Sequence, residues 1–396
     1  MSDTFLGYRR PDGSAGTRNH VLVIPGGIFA QKICQTVRGT HTIVTSDQGT
    51  GRSGRDRETI ARTLIGLGSN PNVAAVILHE GVGGGYPELA AERIAGAIAE
   101  SGKPVEVISG GERGGDWAAI EQGTRLARQL VHDASRLRRE PCPVAELTLG
   151  VKCGGSDPTS GVAGNPAIGA MFDRVVAAGG TAIFGETTEV IGAEHILMRR
   201  AARPAVAEEL AAVVAETERR ALSTGEDIRT INPVPANIRS GISTLEEKSL
   251  GAIHKAGSAP LRGVLKYGER PPGRGLYFAD TYAWNQSIFG SHAASGATLM
   301  IYQFGGSGAE GSRTLVPSNV PVVPLMWTTA SPISWARNRE DVDFFSGTVI
   351  AGEETIEQAG ERLYRLVLDL ASGTMTKTET IEYQDSLQMY LLDPML

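Results

Sequence analysis

The sequence predicts an α/β protein built from two doubly wound, Rossmann- or flavodoxin-like parallel-sheet domains. Three observations carry this. Short aliphatic and β-branched runs alternate with amphipathic helical patterns, the order that builds parallel sheets covered by helices. Fifty glycines fall mainly in clusters after such runs, where open sheets carry ligand loops. The length of 396 residues exceeds one ordinary core and sets the expectation of two domains, 1–143 and 144–396.

In chain order, "HVLVIP" (20–25), "HTIVTS" (41–46), "VAAVILH" (73–79) and "PVEVIS" (104–109) read as buried strands. Helical patterns over 57–68, 87–102 and 117–140 separate and follow them. The charged, proline-bracketed "RLRREPCPVAE" (136–146) marks the boundary. A second unit begins with the strand "LTLGVKC" (147–153), a helix near 166–179 and the strand "TAIFGE" (181–186), followed by a long helix over 204–223. Strands at 275–280, 297–304 and 320–326 and a helix near 354–371 complete it. Asn165 and Pro166 are expected to open their helix as N-cap and first helical residue.

Composition removes several function classes. With 41% apolar and 21% charged residues and no long apolar run, a membrane span is not expected. A formal net charge of −6 without a basic stripe argues against nucleic acid. Three widely spaced cysteines and an N-terminus without a basic-then-apolar signal point to a reducing cytoplasm. There is neither a Walker A loop, nor a G-x-G-x-x-G after the first strand, nor a G-x-S-x-G elbow. The seven histidines form no H-x-x-x-H pair, which argues against a closed zinc site.

The carboxylates are more telling. Glu186 ends an apolar strand, Asp280 ends another, and Asp157 follows a third just after Cys153. A buried carboxylate must be hydrogen-bonded, ligate a metal or move a proton. Cys153, Asp157, Glu186 and Asp280 converging on one crevice would suit a ferrous or manganous ion with open positions. In "GVKCGGSDPTSGVAGNPAIG" (150–169), Gly154 and Gly155 would let the chain turn sharply and bring amide groups near an anion.

That segment, together with "GETTEVIGAEHIL" (185–197), "STLEEKSLGAIHKAG" (243–257), "LKYGERP" (265–271), the opening "GYRRPDGSAGTRNH" (7–20) and "LASGTMTK" (370–377), resembles the altronate and galactarate dehydratase family over nearly the whole chain. The resemblance implies a metal-dependent lyase that removes water from a sugar acid or related 2-hydroxy carboxylate to give a 2-keto acid. Fe2+ is the expected ion, with Mn2+ or Mg2+ as alternatives. A related branch expels sulfite from sulfolactate, and a non-catalytic hydroxy-acid-binding subunit is a third reading. Family members often carry an N-terminal SAF-type domain, whereas here "GYRRPDG" begins at residue 7, so a separate small SAF-domain subunit is the expected partner. The loops 46–54 and 79–88 lack the cysteines that dehydratases of the family tend to hold there, as the sulfite-expelling branch does.

The resemblance and the strand-end positions together nominate the remaining site residues. Lys248 would act as base or neutralise the substrate carboxylate, unless it is tied to Glu247 or Glu189. His20 and His79 are acids for the leaving group. Arg18 and Arg52 are oxyanion clamps, since a guanidinium fork matches a carboxylate or sulfonate. Ser156, Ser160 and Asn165 are substrate-binding candidates. The apolar end "LQMYLLDPML" is a docking segment, and a homo-oligomer is expected.

Overall fold

The computed structural model describes residues 3–45, 49–80, 85–109, 114–307, 322–381 and 386–396. Parts of the glycine loops at 48–54, 80–87, 109–116 and 303–312, and the start of the strand expected at 320–326, lie outside the described residues.

The chain opens with β1 (Thr4–Arg9) and β2 (Ala15–Gly16), then lays down β3 (His20–Ile24), β4 (Thr40–Thr42), β5 (Val73–His79) and β6 (Val105–Ile108). The last four form a parallel sheet in the order β4-β3-β5-β6. Between and after them run α1 (Ile28–Thr36), α2 (Gly54–Gly68), α3 (Ala91–Ala99) and α4 (Asp116–Ala134). Alternation along β3 assigns the two faces: Val21 and Val23 pack with Phe29, Ile33, Ala127 and Leu130, while Leu22 and Ile24 pack with Ile60, Leu64, Ile94 and Ile98. The unit is therefore doubly wound.

The segment expected to be only a boundary contains β7 (Glu140–Pro143), which pairs antiparallel with β1. The helix expected over 117–140 stops at Ala134, capped by Ser135, and the chain turns from there into β7.

The second sheet has seven parallel strands: β8 (Thr148–Gly154), β9 (Thr181–Phe184), β10 (Leu261–Leu265), β11 (Gly275–Ala279), β12 (Leu299–Phe304), β13 (Leu325–Thr329) and β14 (Phe344–Phe345). Their order is β10-β11-β9-β8-β12-β13-β14. The intervening helices are α5 (Asn165–Ala177), α6 (Glu194–Arg199), α7 (Pro204–Ser223), α8 (Ile228–Ile231), α9 (Pro235–Arg239), α10 (Leu245–Ile253), α11 (Asn285–Ala294), α12 (Pro332–Arg337) and α13 (Ile356–Ala371). From β8 the chain builds outward on the β9 side, then crosses to β12 on the other side of β8. The order thus reverses between β8 and β12, and their carboxyl ends are where an open sheet forms its ligand crevice.

One face of this sheet, through Leu149, Val151, Phe184 and Ile301, buries Phe172 of α5 and Leu363 of α13. The other face, through Met300, Tyr302 and Trp327, shares a core with Phe289 of α11 and with Ile60 and Leu64 of α2, so the two sheets are joined by continuous apolar packing. Gly66 sits against the Ala294 carbonyl, where an added Cβ would come within 2.3 Å of the oxygen, so only glycine allows this close approach of α2 to α11.

The apolar C-terminus docks on its own chain. Leu387 and Met389 are buried, and Leu392 and Asp393 donate their amides to Asp56 at the start of α2. The three cysteines, Cys34, Cys142 and Cys153, are free thiols. Among the described residues no helix is long and apolar enough to cross a membrane.

Candidate active site

Lys152 and Cys153 are the last side chains of β8 before its glycines, and both are buried. Glu186 lies two residues beyond β9 and is fully buried. Its φ of 72° is the one left-handed backbone at a non-glycine among the described residues. Such a conformation costs about 1–3 kcal/mol and persists where its surroundings fix it. Here Thr281, just past β11, fixes it: the Thr281 hydroxyl accepts from Glu186 N at 2.9 Å and the Thr281 carbonyl from Thr187 N at 2.7 Å.

This backbone turns the Glu186 carboxylate back toward β8. Oε2 accepts from Cys153 N at 3.1 Å and from Lys255 Nζ at 2.5 Å. Oε1 is buried without a hydrogen bond, and Lys152 Nζ faces it as an ion pair at 3.4 Å. Lys255, in the 3-10 turn His254–Ala256 that follows α10, also reaches Cys153 Sγ at 3.2 Å. Glu189 completes the group, with Oε2 3.6 Å from Cys153 Sγ and Oε1 2.9 Å from Lys248 Nζ. Lys248 additionally donates to Asn232 Oδ1 at 2.8 Å and Asn237 Oδ1 at 3.2 Å.

The electrostatics follow from burial and from the alternation of charges. Burial, reinforced by Glu186, pushes the Cys153 thiol up to about 12. Burial opposes the charge of Lys255, but Cys153, Glu186 and Glu189 outweigh it and hold the ammonium well above the ordinary lysine value. Lys152 is likewise raised: burial opposes its charge, but Glu186, Tyr302, Glu189 and Cys153 together outweigh it. Burial works against the Glu189 carboxylate, yet Lys248, Lys152 and Lys255 hold it well below the usual carboxylate range. Without an ion, three ammonium groups meet two carboxylates and a neutral thiol, so the group carries a surplus positive charge suited to an anion.

Cys153 Sγ and one carboxylate oxygen from each of Glu186 and Glu189 lie within 4.8 Å of one another. A buried set of one sulfur and two carboxylates could hold a divalent ion of intermediate softness. Asp157 and Asp280 lie outside this group. Asp157 Oδ1 accepts from Thr159 Oγ1 and from the Ser160 amide, and Oδ2 from Gly306 N at 2.7 Å. It thus laces the loop after β8 to the loop after β12. Asp280 accepts from Thr187 Oγ1 at 2.8 Å, and its own burial raises its pKa.

The other expected residues are spread more widely. Ser156 accepts at its carbonyl from Asn237 Nδ2, and the Ser160 amide donates to Asp157 Oδ1, so both belong to the β8 loop. Asn165 does not cap α5: a single π turn over Ser160–Gly164 leads into the helix, Gly164 is already helical, and Asn165 Nδ2 donates instead to Gly251 O at 2.9 Å. Arg18 is not open to clamp an oxyanion. Its guanidinium holds Glu379 with two bonds of 2.7 Å and donates to the carbonyls of Thr17, Leu370 and Thr374. Arg52 precedes α2, and its carbonyl accepts from Arg57. His20 begins β3, at the sheet edge opposite the carboxyl ends, packed edge-on to His41 with centroids 4.1 Å apart; burial, then His41, pushes its pKa well down. His79 ends β5, stacks on Phe29 and lines a separate cavity of about 470 Å³ with Pro25, Leu78 and Tyr86.

Sequence reasoning passed over Lys152, Lys255, Asn232 and Asn237. Lys152 had a usable signal, since a lysine inside a buried strand must find an anion. Lys255 lay within the quoted "IHKAG" but without an expected partner.

Residues 144–392 match the family described as D-galactarate/altronate dehydratase, C-terminal, and residues 7–135 match D-galactarate dehydratase/altronate hydrolase, second domain. The chain is 35% identical to the (2R)-sulfolactate sulfo-lyase subunit beta of Chromohalobacter salexigens, covering 96% of each chain. It is 32% identical to the galactarate dehydratase (L-threo-forming) of Escherichia coli, over 93% of this chain and 73% of that one. It is 30% identical to the altronate dehydratase of Bacillus subtilis, over 96% of this chain and 76% of the relative.

Proposed function

The chain belongs to the D-galactarate/altronate dehydratase family, and from that premise we propose that it is a lyase that eliminates water from a 2,3-dihydroxy carboxylate. The reaction removes the proton α to the carboxylate and expels the β hydroxyl as water. The resulting enol tautomerises to a 2-keto acid.

The observation that carries the reading is the buried Lys152, Lys255, Glu186 and Cys153 group at the carboxyl end of β8. An α proton beside an ionised carboxylate is very weakly acidic, so charge building on that carboxylate must be met by fixed positive groups. Lys152 and Lys255 supply them. Glu186 Oε1, which accepts no hydrogen bond and is faced by Lys152 Nζ at 3.4 Å, is the proton acceptor. Without an ion Cys153 keeps its proton at Sγ; as a ligand to an ion it would be a thiolate. Lys248, with three oxygen acceptors around Nζ, orients Glu189 and balances its charge, while Asp157 and Ser160 hold the loop over the crevice. Cys153, Glu186 and Glu189 would hold a divalent ion, Fe2+ best suited to the mixed donors, whose chemistry is to polarise the substrate carboxylate and hydroxyl.

A second reading, elimination of sulfite from sulfolactate, is favoured by the end-to-end match to a sulfo-lyase subunit beta. That name also supports a separately encoded small subunit as partner. An anaerobic assay with Fe2+ or Mn2+, with and without that subunit, against sugar acids and sulfolactate decides between them. Keto acid without sulfite supports the dehydratase, both products together support the sulfo-lyase, and neither product from any of these acids counts against both.

A further inference from the structure

We infer that Asn237 is a positioning residue that locks Lys248 to the two glycine-rich loops of the crevice; this rests on the elimination reading of the same site. Asn237 is buried on the short helix α9, and every hydrogen-bonding capacity of its amide is used. Oδ1 accepts from Lys248 Nζ at 3.2 Å and from Val234 N at 3.2 Å. Nδ2 donates to the Ser156 carbonyl at 2.9 Å and to Ser307 Oγ at 3.0 Å. One side chain thus joins α10, which carries Lys248, to the loop after β8 and the loop after β12.

Those loops are already laced at their bases. Gly305 N donates to Gly154 O at 3.0 Å and Ser307 N to Gly155 O at 3.1 Å. Asn237 closes the third side. A buried amide with two donors and two acceptor positions satisfied is a directional device, since a replacement leaves named partners unpaired. Loss of Asn237 leaves Lys248 with Glu189 and Asn232 only, frees Ser307 from α9, and leaves the Ser156 carbonyl with only the longer 3.4 Å bond from Ser240 Oγ at the end of that helix. Aspartate at this position retains oxygen for Lys248 and Val234 but faces the Ser156 carbonyl with a second oxygen. The two halves of the role are therefore separable.

The test uses the full chain as Asn237→Ala and Asn237→Asp, each compared with the parent for acetylation of Lys248 by an amine-reactive reagent, read by mass spectrometry against exposed Lys266. The inference expects Lys248 labelling to rise about tenfold in Asn237→Ala and to stay near the parent in Asn237→Asp. On the substrate that turns over, Asn237→Asp is expected to raise KM with kcat within about threefold, and Asn237→Ala to lower kcat as well. Unchanged Lys248 labelling in Asn237→Ala overturns the inference, as does equal labelling gain in both variants. The labelling needs no turnover, so absence of activity in the parent would remove the proposed function while leaving this result readable. If Asn237→Ala fails to fold, increased labelling in a folded Asn237→Asp overturns the inference and parent-like labelling with raised KM supports it.

Discussion

Thr281 Oγ1 accepts the Glu186 amide at 2.9 Å, and this bond from one strand end to the next holds Glu186 in its left-handed conformation. The carboxylate aims at Lys255 and Cys153 because Thr281 is there. Thr281→Val keeps the volume and removes the acceptor. It is expected to destabilise the fold by about 1–3 kcal/mol, seen in chemical denaturation, and to lower kcat more than it changes KM.

The close approach of the β8 and β12 loops makes Gly305 a second sensitive point. An added Cβ there would come within 2.5 Å of Gly155 O and 2.7 Å of Asp157 Oδ1. Gly305→Ala is therefore expected to cost about 1–3 kcal/mol in urea unfolding through overpacking, and to raise KM by separating the loops.

Arg18 is a structural tie in this account. Arg18→Ala leaves Glu379 without its partner, and breaking a partly buried pair of this kind costs about 3–5 kcal/mol. The variant should melt earlier while keeping the parent KM below its transition. A raised KM in the folded variant would instead place Arg18 on the substrate.

Acid stability depends on Glu189. Its folded pKa is depressed, so its contribution is fully present above the ordinary carboxylate pKa and is lost as pH falls through the folded value. Denaturation midpoints should fall as pH drops below about 4.5. Glu189→Gln should be less stable at neutral pH, because Lys248 loses its charge partner, and should show a shallower acid decline.

Much of the fold was legible because it rests on period and punctuation. The strand at 73–79 and the helix at 204–223 coincide with β5 and α7, since their apolar patterns and flanking breakers are local signals. β1 and β7 were missed because their pairing joins residues more than a hundred positions apart, and neither alternates cleanly. Glu186 and Cys153 stood out as a strand-end acid and a glycine-flanked thiol, and the structure puts them together. Lys255 and Asn237 did not, because their roles arise from the packing of α9 and α10 onto the strand ends. Arg18 and His20 appeared well placed in sequence, yet the strand direction puts them at the far edge of the sheet.

The most direct measurement is turnover by a folded Glu186→Gln variant, in the anaerobic ferrous assay and with the substrate the parent converts. The account predicts a loss of at least about a hundredfold in kcat, as removal of a proton acceptor gives, with the far-ultraviolet spectrum retained. A folded Glu186→Gln enzyme turning over within about threefold of the parent would contradict it.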